Sequence, residues 1–298
     1  MKTKFLATVL LLVAIPSFSF AAAVKPHAID GDLISKLTGL KGQMNEKEGV
    51  YKVSLARSDI KAESHGVKLV PGLGLTAWAA FTAVGSNVMM MGDTVLTEDQ
   101  VNPVMTVALD NGLEVTALHN HFFGDIPKVM FMHIGGMGKQ ETIAKAVGQV
   151  YEKVKETMGG KGAFPDITID PAKTSLNPEK IASIFGAKGD LKDGIYKVTI
   201  GRKTKMHGAV MGNAMGVNTW AAFAGSDESA IVDGDFAMRE SEVQTILKKL
   251  RAANINIVAI HNHMTGETPR MMFLHYWGVG STENLAKGIK SALDTQKE

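Results

Sequence analysis

The chain has 298 residues, with 32 basic and 30 acidic side chains, a formal net charge of +2 and no cysteine. Without cysteine there are no disulfides, thiolate metal ligands, cysteine nucleophile or lipidated N-terminal cysteine. Near-neutral, interspersed charge gives no electrostatic basis for binding nucleic acid or an anionic membrane surface, and the length suits two domains of ordinary size.

Lys2 and Lys4 precede an apolar run over residues 5–15, followed by Pro16 and small residues ending in Ala21-Ala22-Ala23. This pattern describes a cleaved signal peptide over residues 1–23, and the run is too short to span a bilayer. The expected location is periplasmic or secreted, with no membrane span. Residues 24–156 then read as a first domain and 178–298 as a second. Gly159-Gly160, Gly162, Pro165 and Pro171 mark 157–177 as the linker between them.

The two domains are copies. Ile34, Leu37, Gly39, Lys41 and Gly42 recur 147 positions later as Ile181, Ile184, Gly186, Lys188 and Gly189. Gly49-Val50-Tyr51-Lys52-Val53 matches Gly194-Ile195-Tyr196-Lys197-Val198 at an offset of 145. The offset then settles at 142, where Trp78-Ala79-Ala80-Phe81 meets Trp220-Ala221-Ala222-Phe223 and Gly92-Asp93 meets Gly234-Asp235.

Each copy reads helix, three strands, helix, two strands, helix. In the first, residues 50–57, 75–84 and 87–94 have strand character. Val101, Val104, Met105 and Ala108 then recur at helical spacing. Pro103 interrupts the first turn of that helix, which either starts late, with Asn102 as its cap, or is kinked. In the second copy Val243, Ile246, Leu247 and Leu250 form one apolar stripe. The closing helices begin near Gln140 and at Ser281, an N-cap with Glu283 in the first turn. The fold class is α+β, a tandem duplication of a mixed sheet-and-helix domain, each copy carrying a histidine-bearing β-hairpin.

Eight of the nine histidines belong to the repeat: His65, His119, His121 and His133 return 142 positions later as His207, His261, His263 and His275. Residues 255–263 alternate, placing Ile255, Ile257, Ala259, His261 and His263 on one face. On the next strand Met271, Phe273, His275 and Trp277 share a face. A turn centred near Thr268 sets His275 opposite His261 and diagonal to His263, with Cβ separations of about 5 and 7 Å. His119, His121 and His133 repeat the arrangement. Three imidazoles with an open position form the ligand set of a catalytic zinc, and the same set accepts copper or another divalent transition metal.

Other paired residues carry two readings each. His65 and His207 precede glycines in loops, as further metal ligands or as solvated turn residues. Asp125 and Glu267 lie in the hairpin turns, as the general base or as turn residues. Lys128 and Arg270 orient an anionic substrate or sit in solvent. Arg57 and Arg202 are likewise paired. Asp93 and Asp235 follow glycine and read as turn formers. Thioethers near the histidines raise copper(I), although methionine at strand spacing more often fills a core.

The segments Val115-Thr116-Ala117-Leu118-His119-Asn120-His121 and Ile257-Val258-Ala259-Ile260-His261-Asn262-His263, with Met132-His133 and Leu274-His275 beyond them, resemble the LppY/LpqO family over nearly the whole mature chain. That family consists of exported proteins of unassigned function, some named as lipoproteins; lacking cysteine, this chain would be a soluble form. More distantly, an H-x-H pair followed by a third histidine is similar to the zinc site of acetolactate decarboxylase and the ester-hydrolase-like fold. That likeness implies zinc ligands at His261, His263 and His275 and at their first-copy equivalents.

Three functions fit. One is an exported zinc-dependent hydrolase or lyase acting on a small ester, lactone or keto acid, with Glu267 or Asp125 moving the proton. Another is a non-catalytic zinc or copper buffer or chaperone. The last is an envelope interaction module with structural histidines. The partners implied are a small-molecule substrate or a metal ion, and the sequence is silent on oligomeric state.

Overall fold

A computed structural model describes residues 28–160, 164 and 166–297. The expected signal peptide over residues 1–23 lies outside them. The principal strands are β1 (Gly42–Asn45), β2 (Val50–Ala56), β3 (Thr76–Val84), β4 (Asn87–Thr97), β5 (Glu114–Asn120) and β6 (Val129–Gly138) in the first copy. Their counterparts are β7 (Asp190–Lys192), β8 (Ile195–Gly201), β9 (Asn218–Gly225), β10 (Ala230–Arg239), β11 (Asn256–His261) and β12 (Met271–Gly280). The helices are α1 (Gly31–Thr38), α2 (Glu98–Asp110), α3 (Gln140–Glu156), α4 (Pro178–Phe185), α5 (Val243–Ala252) and α6 (Thr282–Leu293).

All twelve strands join in one antiparallel sheet, in the order β1-β2-β3-β4-β6-β5-β11-β12-β10-β9-β8-β7. The second half of that order is the mirror of the first. The copies meet where Leu118 pairs with Ile260, residues that are themselves 142 positions apart. A pseudo-twofold axis therefore passes through the pair. The helices pack in the layer order α1-α3-α2-α5-α6-α4, and the main core lies between that layer and the sheet, with Val53, Phe81, Val104, Val147, Ile246, Leu247 and Tyr276 all buried. Among the described residues no helix is long and apolar enough to cross a membrane.

Local sequence explains how the elements begin and end. Asp30 and Asn177 cap α1 and α4, accepting from Leu33 N and from Glu179 N and Lys180 N. Gly39 and Gly186 end them at φ +66° and +67°, a conformation that costs glycine nothing. The Ser281 Oγ accepts from Asn284 N at the start of α6, as its sequence predicts. Of the two readings of Pro103, the late start with Asn102 as cap is corrected. Helix α2 begins at Glu98, with Gln100 Oε1 accepting from Thr97 N, so Pro103 and Asn102 are interior.

Asn102 serves the junction instead of a cap. The inner strands β5 and β11 pair at Leu118/Ile260 and then diverge, leaving backbone groups on their facing edges. Asn102 Nδ2 donates to Ile257 O at 3.1 Å and Ile257 N donates to Asn102 Oδ1 at 2.8 Å. In the mirror position Gln244 Nε2 donates to Val115 O and Val115 N to Gln244 Oε1, both at 2.9 Å. Two amide side chains thus satisfy backbone that a wider pairing would have used.

The histidine strands depart from clean alternation. A bulge at Val258, repeated at Thr116, shifts the register between Ile257 and Ala259 and between Val115 and Ala117. Ile257 and Ile260 consequently both turn into the core, whereas Ala259 and His261 keep to the other face. The hairpin register also sits two residues from the expected one: His275 lies opposite Ala259, and His261 opposite Phe273. The cause is the long connection over residues 262–270, whose geometry no short turn rule sets. Because the displacement is even, His261 and His275 remain on one face.

Candidate metal centre

On the face away from the helices, one cross-strand row carries Trp220, Asp235, His275 and Ala259 on β9, β10, β12 and β11. The first copy repeats it as Trp78, Asp93, His133 and Ala117. The small Ala259 and Ala117 leave room beside the imidazoles. One step along, His261 sits opposite Phe273 and its ring lies 4.6 Å from that of His275. His263 follows the end of β11 and folds back over the sheet. Its ring stacks on Phe273 with centroids 3.5 Å apart and planes 8° apart, as His121 does on Phe131 at 3.5 Å and 4°.

That fold-back brings His263 Nε2 to 3.3 Å from Asp235 Oδ2 and the His261 and His263 rings to 5.1 Å. Ligand atoms of Asp235, His261 and His263 all lie within 4.8 Å of one another, so the group can hold a metal ion. In the first copy His133 Nε2 and His119 Nε2 approach to 3.1 Å, with the rings of His119 and His121 stacked 5.3 Å apart.

Asp235 is 4 % exposed and Asp93 7 %, and each keeps a buried Oδ1 without a hydrogen-bond partner, as does His261 at Nδ1. Unsatisfied buried polar atoms are rare because each costs about 1–3 kcal/mol. Asp235 Oδ1 and His261 Nδ1 lie in the second-copy cluster, the one group among the described residues whose ligand atoms converge closely enough for a metal ion, and Asp93 Oδ1 lies at the equivalent first-copy position.

The electrostatics agree with that fit. Burial raises the Asp235 carboxyl above its ordinary range, against the pull of His275 and His263. Burial raises Asp93 likewise, against His133, His121 and His119. Burial, then the neighbouring His275 and His263, pushes His261 down to about 4, and burial with His119 lowers His121 despite the opposing Asp93. Both shifts favour the uncharged imidazole that a metal ligand requires.

Asp93 and Asp235 are the residues that sequence reading placed elsewhere. Gly-Asp signals a turn, yet both sit mid-strand. The glycine is there because the neighbouring strand crowds it: a Cβ on Gly234 would stand 2.1 Å from Tyr276 Cζ, and one on Gly92 would lie 2.8 Å from Trp78 O. Strand glycines mark such close approaches. Recurrence of Gly-Asp at the histidine offset was the available signal.

Several other candidates have different surroundings. His65 and His207 occupy exposed tips of small hairpins at φ +50° each, followed by Gly66 and Gly208 at +76° and +82°, the pattern of a type I′ turn. Neither belongs to the converging group. Asp125 and Glu267 are buried, and each receives a backbone N–H inside its own loop, from Val129 at 2.7 Å and Met271 at 2.8 Å. Their second oxygens are unpartnered, and neither carboxylate belongs to the converging group.

The paired arginines also have structural contacts. Arg57 binds Asp59 and Gln100, while Arg202 binds Glu242 at 2.7 Å. Met271 fills a small apolar cluster with Met211, Val217, Ala237 and Phe273.

Residues 32–153 and 179–295 each match a domain of unknown function, DUF1259. No curated protein and no solved structure matches the chain.

Proposed function

This chain belongs to the DUF1259 family, carrying its domain twice, and from that premise we propose an exported metal-dependent hydrolase or lyase acting on a small ester, lactone or keto acid. One observation carries the reading: a buried aspartate with an unsatisfied oxygen converges with histidines in the second copy, and the first copy repeats the same residues. The resemblance to the LppY/LpqO family and to the acetolactate decarboxylase zinc site supports both export and zinc. The donor set suits zinc and also accepts copper.

His261, His263 and His275 would hold the ion in the second copy, and His119, His121 and His133 in the first. A divalent ion supplies Lewis-acid polarisation of a carbonyl. Phe273 and Phe131 fix the fold-back histidines by stacking. The buried carboxylates of Asp235 and Asp93 would orient or complete the ligand set, Asp235 through its contact with His263. Glu267 and Asp125 hold the loops that carry His263 and His121.

One feature favours a second reading. If Asp235 is itself a ligand, three histidines and a carboxylate make four protein donors, the count of a closed structural site. A zinc or copper store would result.

Elemental analysis of protein purified without a histidine tag tests the proposal. Two equivalents of zinc per chain are expected, falling to one in His261→Ala/His263→Ala. Unchanged stoichiometry in that variant would overturn the two-centre assignment. Metal-loaded protein without turnover on esters, lactones or keto acids would favour the store.

A further inference from the structure

Where β5 and β11 diverge, a cleft of about 510 Å³ opens between the copies. Its walls include Val101, Met130, Ile257, Val258, Trp277 and Val279, and Phe164 and Ile167 of the inter-copy segment border it. Such a volume and such walls suit a small organic ligand.

The duplication provides an internal comparison. At the positions equivalent to Trp277, Val258 and Asn256 the first copy has Gly135, Thr116 and Glu114. The equivalent positions therefore lack the aromatic side chain and carry threonine where this cleft carries Val258. Val101 and Val243, and Met130 and Met272, are unchanged in kind.

The cationic residue at the cleft differs as well. Arg270, the counterpart of Lys128, lies 3.9 Å from Glu240. Among the described residues Lys128 forms no ion pair, and it lines both this cleft and an adjoining cavity of about 490 Å³ that also contains Lys61. The guanidinium of Arg57 in that second cavity is already bound to Asp59 and Gln100. Glu98 is the acidic group in the first cleft; across the two adjoining cavities, with Arg57 paired to Asp59, Lys128 and Lys61 face that single carboxylate. The amide of Asn102 donates to and accepts from Ile257.

We propose that this cleft binds a free small amphiphile with an anionic head group, its apolar body against Trp277 and Val258 and its head at Lys128. No histidine lines this cleft, so the proposal does not rest on the metal reading.

Calorimetric titration of the mature full-length chain with decanoate, decanol and decyltrimethylammonium, each below its micellar concentration, tests it. Decanoate should saturate at one per chain and bind roughly tenfold more tightly than decanol, the contribution of one charge-assisted contact. Lys128→Met should remove that difference and leave decanol unchanged. Trp277→Gly, which installs the first-copy residue, should abolish binding of both; if that variant fails to fold, Val258→Thr should weaken both at least severalfold.

Absence of saturable binding, or full binding by Val258→Thr, would overturn the site. Preference for decyltrimethylammonium would overturn the anionic head group. Capture by phosphatidylglycerol vesicles without saturable decanoate binding would assign the surface to a membrane and overturn the free ligand.

Discussion

Replacing Asp235 by asparagine should raise the stability of the metal-free protein and lower its affinity for metal together. The carboxyl is 4 % exposed, its Oδ1 has no partner, and burial already disfavours its charged form. Asparagine keeps the shape and removes the charge, recovering part of a burial cost of about 1–3 kcal/mol. At roughly 2–4 °C per kcal/mol for a protein of this size, the metal-free melting temperature should rise by about 2–8 °C. Removal of a carboxylate that orients or completes a metal site costs about 10–100-fold in affinity. At fixed zinc the stabilisation by bound metal then shrinks by about 1.4–2.8 kcal/mol. The assay is a thermal melt with chelator and with a zinc series, for wild type and Asp235→Asn. A lower metal-free melting temperature with unaltered zinc dependence would show that Asp235 serves packing alone and would refute the reasoning.

Asn102→Ala leaves Ile257 N and O without partners and should destabilise the chain by about 2–5 kcal/mol in urea unfolding; a loss below about 0.5 kcal/mol would mean that water replaces the clamp. His261 is held near 4 in the fold and near 6.5 in an unfolded chain, so the metal-free protein keeps this contribution above about pH 6.5 and loses it as pH falls towards 4. The raised Asp93 and Asp235 act in the opposite sense at acid pH, so the readout is the difference between wild-type and His261→Gln stability profiles, which should open between those limits; parallel profiles would contradict it. Glu267→Gln should weaken the 262–270 loop, measured as faster amide exchange at Met271, while metal content stays at two equivalents. Loss of one equivalent would bring Glu267 into the centre.

Much of this was legible because the duplication doubles every signal. The offset of 142 marked the strands carrying Trp78 and Trp220, the histidine positions and the stripe on α5, and Ser281 announced its helix by capping chemistry. Each of these is local. What sequence did not carry was pairing at a distance. The bulge at Val258 exists because Ile257 and Ile260 must both reach the core, and the two-residue register displacement follows from a loop with no dictated turn. Asp235 became readable only once Tyr276 was seen to crowd Gly234. Local grammar assigns Gly-Asp to a turn; tertiary contact moved it to mid-strand, beside the histidines.

The junction at Leu118 and Ile260 has a historical consequence. A strand edge that meets its own copy through equivalent residues, with Asn102 reaching one way and Gln244 the other, is the geometry by which identical subunits associate in a closed pair. A lone ancestral copy would have exposed that edge and invited self-association, so the present chain reads as a homodimer sewn into one polypeptide. Covalent fusion then released each half from the obligation to match. The difference between Trp277 and Gly135 is one use of that freedom.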